Sequence, residues 1–324
     1  MNVLLGVDVG GTTTAAGLVS GDGEVLFQER IPTHHAGPGR ALAAITTLID
    51  SVRGRAVDQG ATLRGIGVGV PGIVDAARGV IGEEVPHVPD LAGMPLRRVL
   101  RERFGLPVFV DNDVNALALA ELMFGLGRGA QSLVVLAAGT GFGAGIVLNG
   151  RLVRGANGFG GEFGHAPVKF DGRPCWCGGR GCLAVYASGR GIAEAARERV
   201  SGDAHAPLLE LAGGDPLRIT AALVFQAADA GDPVAEIVVN EACQAVGAMI
   251  GTIINGLNPE VVVVTGGVAV SYAAREKTIL AAAAGYALSR ALAHTRVRIV
   301  PGDKAVTMRG PAALVLYELE EDRA

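Results

Sequence analysis

The chain has 324 residues, of which 49% are apolar and 19% charged, as expected for a soluble protein with about two domains. Its 28 basic and 32 acidic residues give a net charge of −4, which argues against bulk attraction to nucleic acid or an anionic membrane. The first residues lack the basic start of a signal peptide and the apolar runs are short, so we expect a cytoplasmic protein without a membrane span. Four cysteines in so long a chain do not form a disulfide framework.

Short apolar runs separated by Gly-rich turns predict an α/β chain whose opening pattern recurs near residue 133. Strands are predicted over 3–8, 13–19, 24–28, 64–70, 108–110, 133–137, 146–148, 260–265 and 296–300. Helices are predicted over 39–53, 96–104, 190–200, 217–230, 234–255, 273–292 and 308–319, with another beginning near Asp113. The two copies of strand, Gly/Thr turn and strand form a weak internal repeat. We place a first lobe at 1–118 plus 306–324 and a second at 119–305.

Two glycine-rich turns have the composition of phosphate-binding loops. The first, from Asp8 to Thr14, offers a carboxylate, paired glycines and hydroxyls at the end of a strand. Glycines let backbone N–H groups approach phosphate oxygens, and the carboxylate can hold a hydrated Mg²⁺. A plain β-hairpin turn is the alternative for this segment. The second turn, from Gly139 to Gly145, favours phosphate binding, because two such turns can clamp a nucleotide from both sides.

Two further strand ends carry candidate site residues. Gly266 and Gly267 leave room for a flat ligand such as adenine or ribose, although a strand-to-helix turn is the alternative. Asp113 begins a helix, where a carboxylate is usually an N-cap. Phosphoryl transfer to an alcohol also needs a carboxylate that accepts the hydroxyl proton, and Asp113 suits that role if it faces the two turns.

The most specific pattern is His165 followed by Cys175, Cys177 and Cys182. One imidazole and three thiolates make a closed four-coordinate zinc set, so the expected zinc is structural. The alternatives are unrelated buried thiols or a disulfide, which the cytoplasm disfavours and which would leave one of the three cysteines unpaired. Cys243 lies in an apolar helix and is predicted to belong to the core.

At these residues the sequence resembles the ROK family (repressor, open reading frame, kinase), most closely its bacterial glucokinase branch, from Asp8 to the final helix. The resemblance implies a two-lobed actin-like (ribonuclease-H-like) ATPase fold, each lobe a mixed sheet flanked by helices. It implies phosphorylation of the 6-hydroxyl of a hexose with ATP and Mg²⁺. It also implies a homodimer or homotetramer, as is common in the family.

The resemblance assigns a role to each candidate residue. ATP would be bound by Asp8, Gly10, Gly11, Thr12, Thr13, Thr140, Gly141, Gly143, Gly266 and Gly267. The sugar would be bound by Gly72, His87, Asn112, Asp113, Glu162 and His165, with Asp113 as the catalytic base. Structural zinc would be held by His165, Cys175, Cys177 and Cys182. His165 would serve twice, with one ring nitrogen on zinc and the other donating to a sugar hydroxyl.

Four residues depart from the family pattern. Ala184 replaces a Glu that grips hydroxyls near the anomeric end of the sugar, and Thr13 replaces a Lys beside the phosphates. His87 and Leu91 replace an Asn and a Trp beside the sugar. Losing a charge-assisted hydrogen bond costs roughly 1.5–3 kcal/mol. We therefore expect Ala184 and His87 to change the pocket wall that faces the sugar ring, and substrate identity to be affected more than kinase activity.

These observations leave alternatives to a hexose kinase. The same chemistry on a specialised analogue, such as kanosamine or a C7-cyclitol, is one. A non-catalytic sugar-sensing regulator of the family is another, but such repressors carry a DNA-binding domain before the first phosphate motif, whereas seven residues precede Asp8 here. The expected partners are a sugar-like substrate, ATP, Mg²⁺ and Zn²⁺, without nucleic acid or membrane.

Overall fold

The computed structural model describes residues 1–34, 37, 40–85, 87–200, 207–303 and 307–321. The chain divides into two compact units, the first comprising Met1–Leu133, Gly145–Gly161 and Asp303–Ala324, and the second Val134–Ala144 and Glu162–Gly302. The limits 306 and 324 of the predicted first lobe, the limit 305 of the predicted second lobe and the predicted helix start at 39 lie outside the described residues.

The strands of the first half are β1 Asn2–Val9, β2 Thr13–Ser20, β3 Val25–Pro32, β4 Thr62–Val70, β5 Val74–Asp75, β6 Val80–Ile81 and β7 Val108–Asn112. Five of them form a sheet in the order β3-β2-β1-β4-β7, while β5 and β6 make a small hairpin. β1 pairs antiparallel with β2 and parallel with β4, and β4 pairs parallel with β7. Three adjacent strands of this sheet therefore end at the same edge.

The later strands are β8 Leu133–Ala138, β9 Phe142–Leu148, β10 Arg151–Leu152, β11 Val261–Thr265 and β12 Arg296–Ile299. They form a second sheet in the order β10-β9-β8-β11-β12. β10 and β9 are antiparallel, as are the corresponding β3 and β2 of the first sheet. β11 and β12 are parallel, as are the corresponding β4 and β7. The predicted internal repeat is confirmed in the strand order.

The helices are α1 Ala41–Asp58, α2 Leu96–Phe104, α3 Asp113–Phe124, α4 Ala184–Ala187, α5 Gly189–Val200, α6 Pro207–Leu211, α7 Ala221–Asp229, α8 Pro233–Leu257, α9 Ala269–Ala273, α10 Glu276–Tyr286, α11 Ser289–His294 and α12 Arg309–Glu321. Short 3₁₀ turns cover Pro89–Leu91, Phe163–His165 and Pro216–Arg218. In the described part of the chain, α8 alone is long and apolar enough to cross a membrane, and 67% of its apolar window is buried within the protein. Cys243 is fully buried on α8, which confirms its prediction as core.

The predicted helix over 273–292 is wrong, because the segment forms parts of three helices, α9, α10 and α11. Asn255 on α8 binds the chain on both sides of the second break. Its Nδ2 donates to the Tyr286 carbonyl at 2.7 Å, and its Oδ1 accepts from the Leu288 N–H at 2.8 Å. Ala287 between them is extended, with φ −89° and ψ 146°. A side chain distant in sequence thus ends α10, which local periodicity cannot reveal.

A strip of glycines lets α12 lie directly on the first sheet. Gly17, Gly6 and Gly67 are aligned across β2, β1 and β4. A Cβ on Gly6 would lie 2.0 Å from the Met308 carbonyl oxygen, and one on Gly67 would lie 1.8 Å from that of Pro311. Either side chain would push the start of α12 away from the sheet. The opposite face of β1 presents Val3, Leu5, Val7 and Val9 to a core shared with α1.

Candidate active site

One edge of the first sheet carries both the first phosphate turn and the predicted base. The register of β1, β4 and β7 aligns Asp8 with Gly69 and Gly69 with Asp111. Parallel strands lie about 4.8 Å apart, so Asp8 and Asp111 stand about 10 Å from each other across the edge. The turn after Asp8 and the Asn112–Asp113 pair therefore lie at the same carboxyl edge of the first unit.

Thr33 holds the first phosphate turn. Its hydroxyl donates to the Gly10 carbonyl at 2.5 Å and its N–H to the Thr12 carbonyl at 2.9 Å, and Thr33 is fully buried. In a planar trans peptide, the C=O and the following N–H point in opposite directions. The two bonds thus turn the N–H groups of Gly11 and Thr13 away from Thr33, as a phosphate-binding loop requires. The segment is also a β-hairpin turn, closed by the Gly10 N–H donating to the Thr13 carbonyl at 3.1 Å.

The carboxyl group of Asp8 lies in a mixed environment at the start of this turn. Burial raises its pKa above the ordinary value, while a hydrogen bond from Thr307 and the charge of Arg30 lower it in part. A bound cation would stabilise the ionised form against burial. Mg²⁺ prefers oxygen ligands, so the donor chemistry of Asp8 fits this ion.

Hydrogen bonds hold the corner that carries Asp113. Asn112 is the N-cap of α3, and its Oδ1 accepts from the N–H groups of Val114 at 2.9 Å and Asn115 at 3.2 Å. Its Nδ2 donates to the carbonyl of Gly72 at 3.0 Å, and Gly72 has a positive φ of 90°. Asp113 occupies the first helical position instead of the cap, with its Oδ1 accepting from Val114 N–H at 2.9 Å. The structure thus brings Gly72, Asn112 and Asp113 together.

The carboxylate of Asp111 stabilises the junction between β7 and α3 that carries Asp113. Its Oδ1 accepts from the following amide N–H at 2.7 Å and from Asn115 Nδ2 at 2.9 Å, and its Oδ2 accepts from Arg154 Nε at 2.6 Å. Arg154 also binds Glu318 on α12. Burial opposes the charge of Arg154, but the two carboxylates raise its pKa above the ordinary value. Both oxygens of the buried Asp111 are therefore occupied by partners within the protein.

His87 lies against the first phosphate turn. A Cβ on Gly11 would lie 2.9 Å from His87 Cβ and 3.6 Å from its Nδ1. The side chain is otherwise exposed. The sequence suggested that His87 faces the sugar ring, and this stays a prediction; in the first unit the side chain packs against the turn at Gly11. We therefore expect its replacement to affect phosphoryl transfer as well as sugar binding.

The start of α5 holds the second phosphate turn. The Gly139 carbonyl accepts from the N–H of Gly189 at 2.8 Å, and the Thr140 carbonyl accepts from the N–H of Arg190 at 3.1 Å. By the same peptide geometry, the N–H groups of Thr140 and Gly141 point away from α5. A Cβ on Gly139 or Gly141 would meet nothing within 4 Å, so this face of the turn is open.

The predicted adenosine turn lies beside the second phosphate turn. Gly266 has a φ of 108°, and a Cβ there would lie 2.5 Å from the carbonyl oxygen of Ala138, the residue just before the phosphate turn. The same oxygen accepts from Val268 N–H at 2.9 Å. A Cβ on Gly267 would meet nothing within 4 Å. Gly143 lies inside β9, which begins at Phe142 and not at the predicted residue 146.

The 3₁₀ turn Phe163–His165, which Glu162 precedes, rests on β9. A Cβ on Gly164 would lie 1.9 Å from the Phe142 carbonyl oxygen, so only glycine fits there. The His165 N–H donates to the Glu162 carbonyl at 2.9 Å. The Glu162 side chain is exposed, and His165 is half-buried.

His165 and three cysteines form a cluster with the dimensions of a zinc site. His165 Nδ1 lies 3.6 Å from Cys175 Sγ, the Sγ atoms of Cys177 and Cys182 lie 3.8 Å apart, and all four donor atoms lie within 4.8 Å of one another. A tetrahedral site with Zn–S bonds of about 2.3 Å separates its sulfurs by about 3.8 Å. The donor set therefore fits zinc, and coordination through Nδ1 would leave Nε2 of His165 for another partner.

Ala184 follows this cluster at the start of α4. The residue is 2% exposed, so its methyl group is packed within the second unit. The carbonyl of Ala184 accepts from the N–H of Ser188 at 3.1 Å. The position where the family places a carboxylate is thus apolar and filled.

Comparisons with known proteins agree with these features. The ROK family matches residues 4–318. A glucokinase from Halalkalibacterium halodurans is 38% identical over 302 residues, which cover 91% of this chain and 89% of that protein. A ROK family glucokinase from Streptomyces griseus, solved with glucose and AMPPNP, has a TM-score of 0.76 and 30% identity, covering 97% of this chain and 98% of that one.

A regulator is also similar. A ROK family transcriptional regulator, a homologue of the E. coli MLC protein, has a TM-score of 0.83 and 28% identity, and covers 98% of this chain and 78% of the regulator. The two mixed sheets with flanking helices are the expected actin-like ATPase fold. Since the match extends over nearly all of the sequence, the chain belongs to the ROK family.

Proposed function

We propose that this protein transfers the γ-phosphoryl group of ATP to the primary (6-) hydroxyl of a hexose, with Asp113 as general base. One observation carries the proposal: the shared edge of β1, β4 and β7 places the first phosphate turn and Asp113 on the same side of the first sheet. ATP-dependent phosphorylation of a hexose is supported by the Halalkalibacterium halodurans and Streptomyces griseus glucokinases. The proposal adds two points to this reaction: the 6-hydroxyl as the acceptor and Asp113 as the base.

Asp113 would accept the proton of the attacking sugar hydroxyl. The oxygen of that hydroxyl would bond to the γ-phosphorus as ADP leaves. Asn112 already uses its Oδ1 and one amide hydrogen within the protein, so a single amide hydrogen is left for the sugar. The Gly72 carbonyl supports Asn112. Glu162 and Nε2 of His165 would bind other sugar hydroxyls.

Both turns would bind the phosphates of ATP through backbone N–H groups and the hydroxyls of Thr12, Thr13 and Thr140, and Gly266 with Gly267 would make room for adenosine. Asp8 would hold Mg²⁺, which neutralises charge on the phosphate oxygens. Phosphoryl transfer depends mainly on such positioning and electrostatic stabilisation. The contribution of the chain is therefore to present these groups in fixed directions.

A structural zinc ion would be bound by His165, Cys175, Cys177 and Cys182. Such an ion has four protein ligands and stabilises the segment that it closes. Binding through Nδ1 fixes the tautomer of His165 and so the hydrogen on Nε2. In this way zinc would affect sugar binding indirectly, through the orientation of the His165 ring.

A specialised hexose analogue is the second candidate substrate. The buried methyl group of Ala184 favours it, because the carboxylate that the family places there would accept hydrogen bonds from ring hydroxyls. An amino sugar such as kanosamine, or a C7-cyclitol, would differ from glucose around the ring while keeping a primary hydroxyl. The reaction at Asp113 would be the same.

We further propose a cytoplasmic homodimer or homotetramer that binds neither nucleic acid nor membrane. The burial of α8 and the net charge of −4 support this part. The division into lobes at 1–118 plus 306–324 and 119–305 stays a prediction. A non-catalytic regulator is the remaining alternative, and turnover distinguishes it from the kinase.

A coupled kinase assay tests the proposal. Glucose, mannose, N-acetylhexosamines, kanosamine and C7-cyclitols are each offered with ATP and Mg²⁺, and the position of the new phosphate is assigned by ³¹P and ¹³C NMR. We expect turnover on at least one of them, with phosphate on the primary hydroxyl. Sugar binding without ADP release would support the regulator, and phosphate on a ring hydroxyl would overturn the assigned position.

A further inference from the structure

Trp176 connects the cysteine cluster to a helix that holds a phosphate turn. It is the single tryptophan of the chain and lies between two cluster residues, Cys175 and Cys177. The guanidinium carbon of Arg190 lies 4.4 Å from the centroid of the Trp176 ring, within the range of a cation–π interaction. Nε of Arg190 also donates to Glu194 at 2.7 Å. The Arg190 side chain is therefore held by two partners.

The backbone of Arg190 continues this connection. Its N–H donates to the Thr140 carbonyl, and the preceding N–H of Gly189 donates to the Gly139 carbonyl. These bonds set the direction of the two N–H groups that the turn presents. A displacement of Arg190 would therefore rotate the peptide groups on which phosphate binding depends. Since Glu194 offsets the charge of Arg190, its effect is on position more than on electrostatics.

We propose that Trp176 and Arg190 are positioning residues that couple metal binding at the cysteine cluster to nucleotide binding at the Gly139–Gly141 turn. The inference rests on the proposed function for the statement that this turn binds phosphate. A closed metal site fixes the backbone on both sides of Trp176, Trp176 supports Arg190, and Arg190 supports Thr140. Coupling of this kind is reciprocal, so the nucleotide must tighten metal binding by the factor by which metal tightens nucleotide binding.

Fluorescence of the single tryptophan tests the coupling directly. Zinc-loaded protein is titrated with Mg²⁺ and AMPPNP, and we expect the emission of Trp176 to change and to saturate with nucleotide binding. Arg190→Gln should abolish that change and raise the KM for ATP about fivefold or more, with the KM for the sugar unchanged. Arg190→Lys keeps the cation over the ring and should restore most of both effects. Arg197→Gln, on the same helix, should leave them as in the parent protein.

Calorimetry supplies the second test, since it does not depend on the fluorophore. Removal of zinc should weaken AMPPNP binding about fivefold or more in the parent protein and far less in Trp176→Ala, while Trp176→Phe should keep the coupling. Normal AMPPNP affinity in the zinc-free parent protein would overturn the coupling and leave the proposed kinase intact. Failure of the zinc-loaded protein to bind AMPPNP would overturn both.

Discussion

The two glycine-rich turns that we propose to bind phosphate present their N–H groups by the same principle and with different supports. Around Gly10 and Thr12, the buried Thr33 binds both carbonyls, and it follows directly on a strand of the same sheet. Around Gly139 and Thr140, the start of α5 binds the carbonyls, and Arg190 on α5 is stacked on Trp176 of the cysteine cluster.

The difference teaches where each turn obtains its rigidity. The first is held by the hydroxyl and the N–H of Thr33, a residue inside the core. The second depends on a segment whose own order would depend on a metal. We therefore expect perturbations of the two turns to have different signatures, and the following changes separate them.

Asp113→Asn should have the largest effect, because it removes the proposed base and leaves both turns intact. We expect kcat to fall by about 10²–10⁴. AMPPNP affinity and melting temperature should stay near those of the parent protein. Asp229→Asn, at an exposed ion pair with Arg275, is the matched control. A kcat close to normal would show that another group accepts the proton.

Cys177→Ser should affect the second turn and leave the first unchanged. Loss of one zinc ligand should destabilise the protein by several kcal/mol, lowering its melting temperature by about 10 °C, because metal binding free energy contributes to folding. Metal analysis of the parent protein, purified without chelator, should give about one zinc per chain. Cys243→Ser, outside the cluster, should leave the zinc content unchanged. Protein without zinc that melts at the same temperature would contradict the site.

Thr33→Val should act on the first turn alone. The isosteric change removes the hydroxyl that donates to Gly10 and lies 3.0 Å from the hydroxyl of Thr14. Leaving buried polar groups unsatisfied costs about 1–3 kcal/mol. We expect lower stability by that amount and a higher KM for ATP, measured by urea unfolding and steady-state kinetics. Thr33→Ser should recover most of both, and the zinc content should not change.

Ala184→Glu lies outside both turns and tests sugar recognition. If the missing carboxylate limits glucose binding, kcat/KM for glucose should rise roughly tenfold, the equivalent of 1.4 kcal/mol, with an unchanged KM for ATP. Ala184→Gln, of similar size and without charge, is the control. The specialised-substrate hypothesis would be contradicted if kcat/KM of the parent protein for glucose is already about 10⁵ M⁻¹s⁻¹. A lower kcat/KM for glucose in Ala184→Glu would contradict it as well.

Asp8→Asn should show a small gain of stability at neutral pH. Because the folded pKa of Asp8 is raised, the folded state favours the protonated carboxyl, and stability is lost as pH rises through that pKa. The amide cannot ionise, so the variant should melt at a higher temperature at pH 7, without Mg²⁺ or nucleotide. The difference in melting temperature between the variant and the parent protein should disappear as pH falls to about 4, near the ordinary pKa of Asp. A difference in melting temperature that does not depend on pH would show that Asp8→Asn acts through packing instead of ionisation.

Much of this site was predictable, because its signals are local. The spacing of Cys175, Cys177 and Cys182, and the glycines of both turns, place ligand groups within a few residues of each other. The supports were not predictable. Thr33 acts on a turn about twenty residues away, and Arg154 joins Asp111 to Glu318 on α12. Such roles come from tertiary neighbours, as does the break in the predicted 273–292 helix.

The contact of His87 with Gly11 is a further example of a tertiary neighbour that the sequence did not reveal. The place of His87 in the sequence suggested a sugar contact, which stays a prediction, whereas its packing against Gly11 was not predicted. A glycine in one segment made room for a side chain in another, and periodicity does not record such pairs. The pairing of β1 with β2 and of β8 with β9, by contrast, was implied by the repeat of strand, turn and strand.

The glycine strip beneath α12 has a consequence for biosynthesis. The strip and the strands that carry it are translated early, while α12 emerges from the ribosome late. Until then, the row of Gly17, Gly6 and Gly67 has no helix to cover it. Glu318 on the same helix is also missing, and with it one of the two carboxylates that bind Arg154. We therefore expect a nascent chain to form the strands of the first sheet well before the corner around Asp113 has all of its supporting contacts.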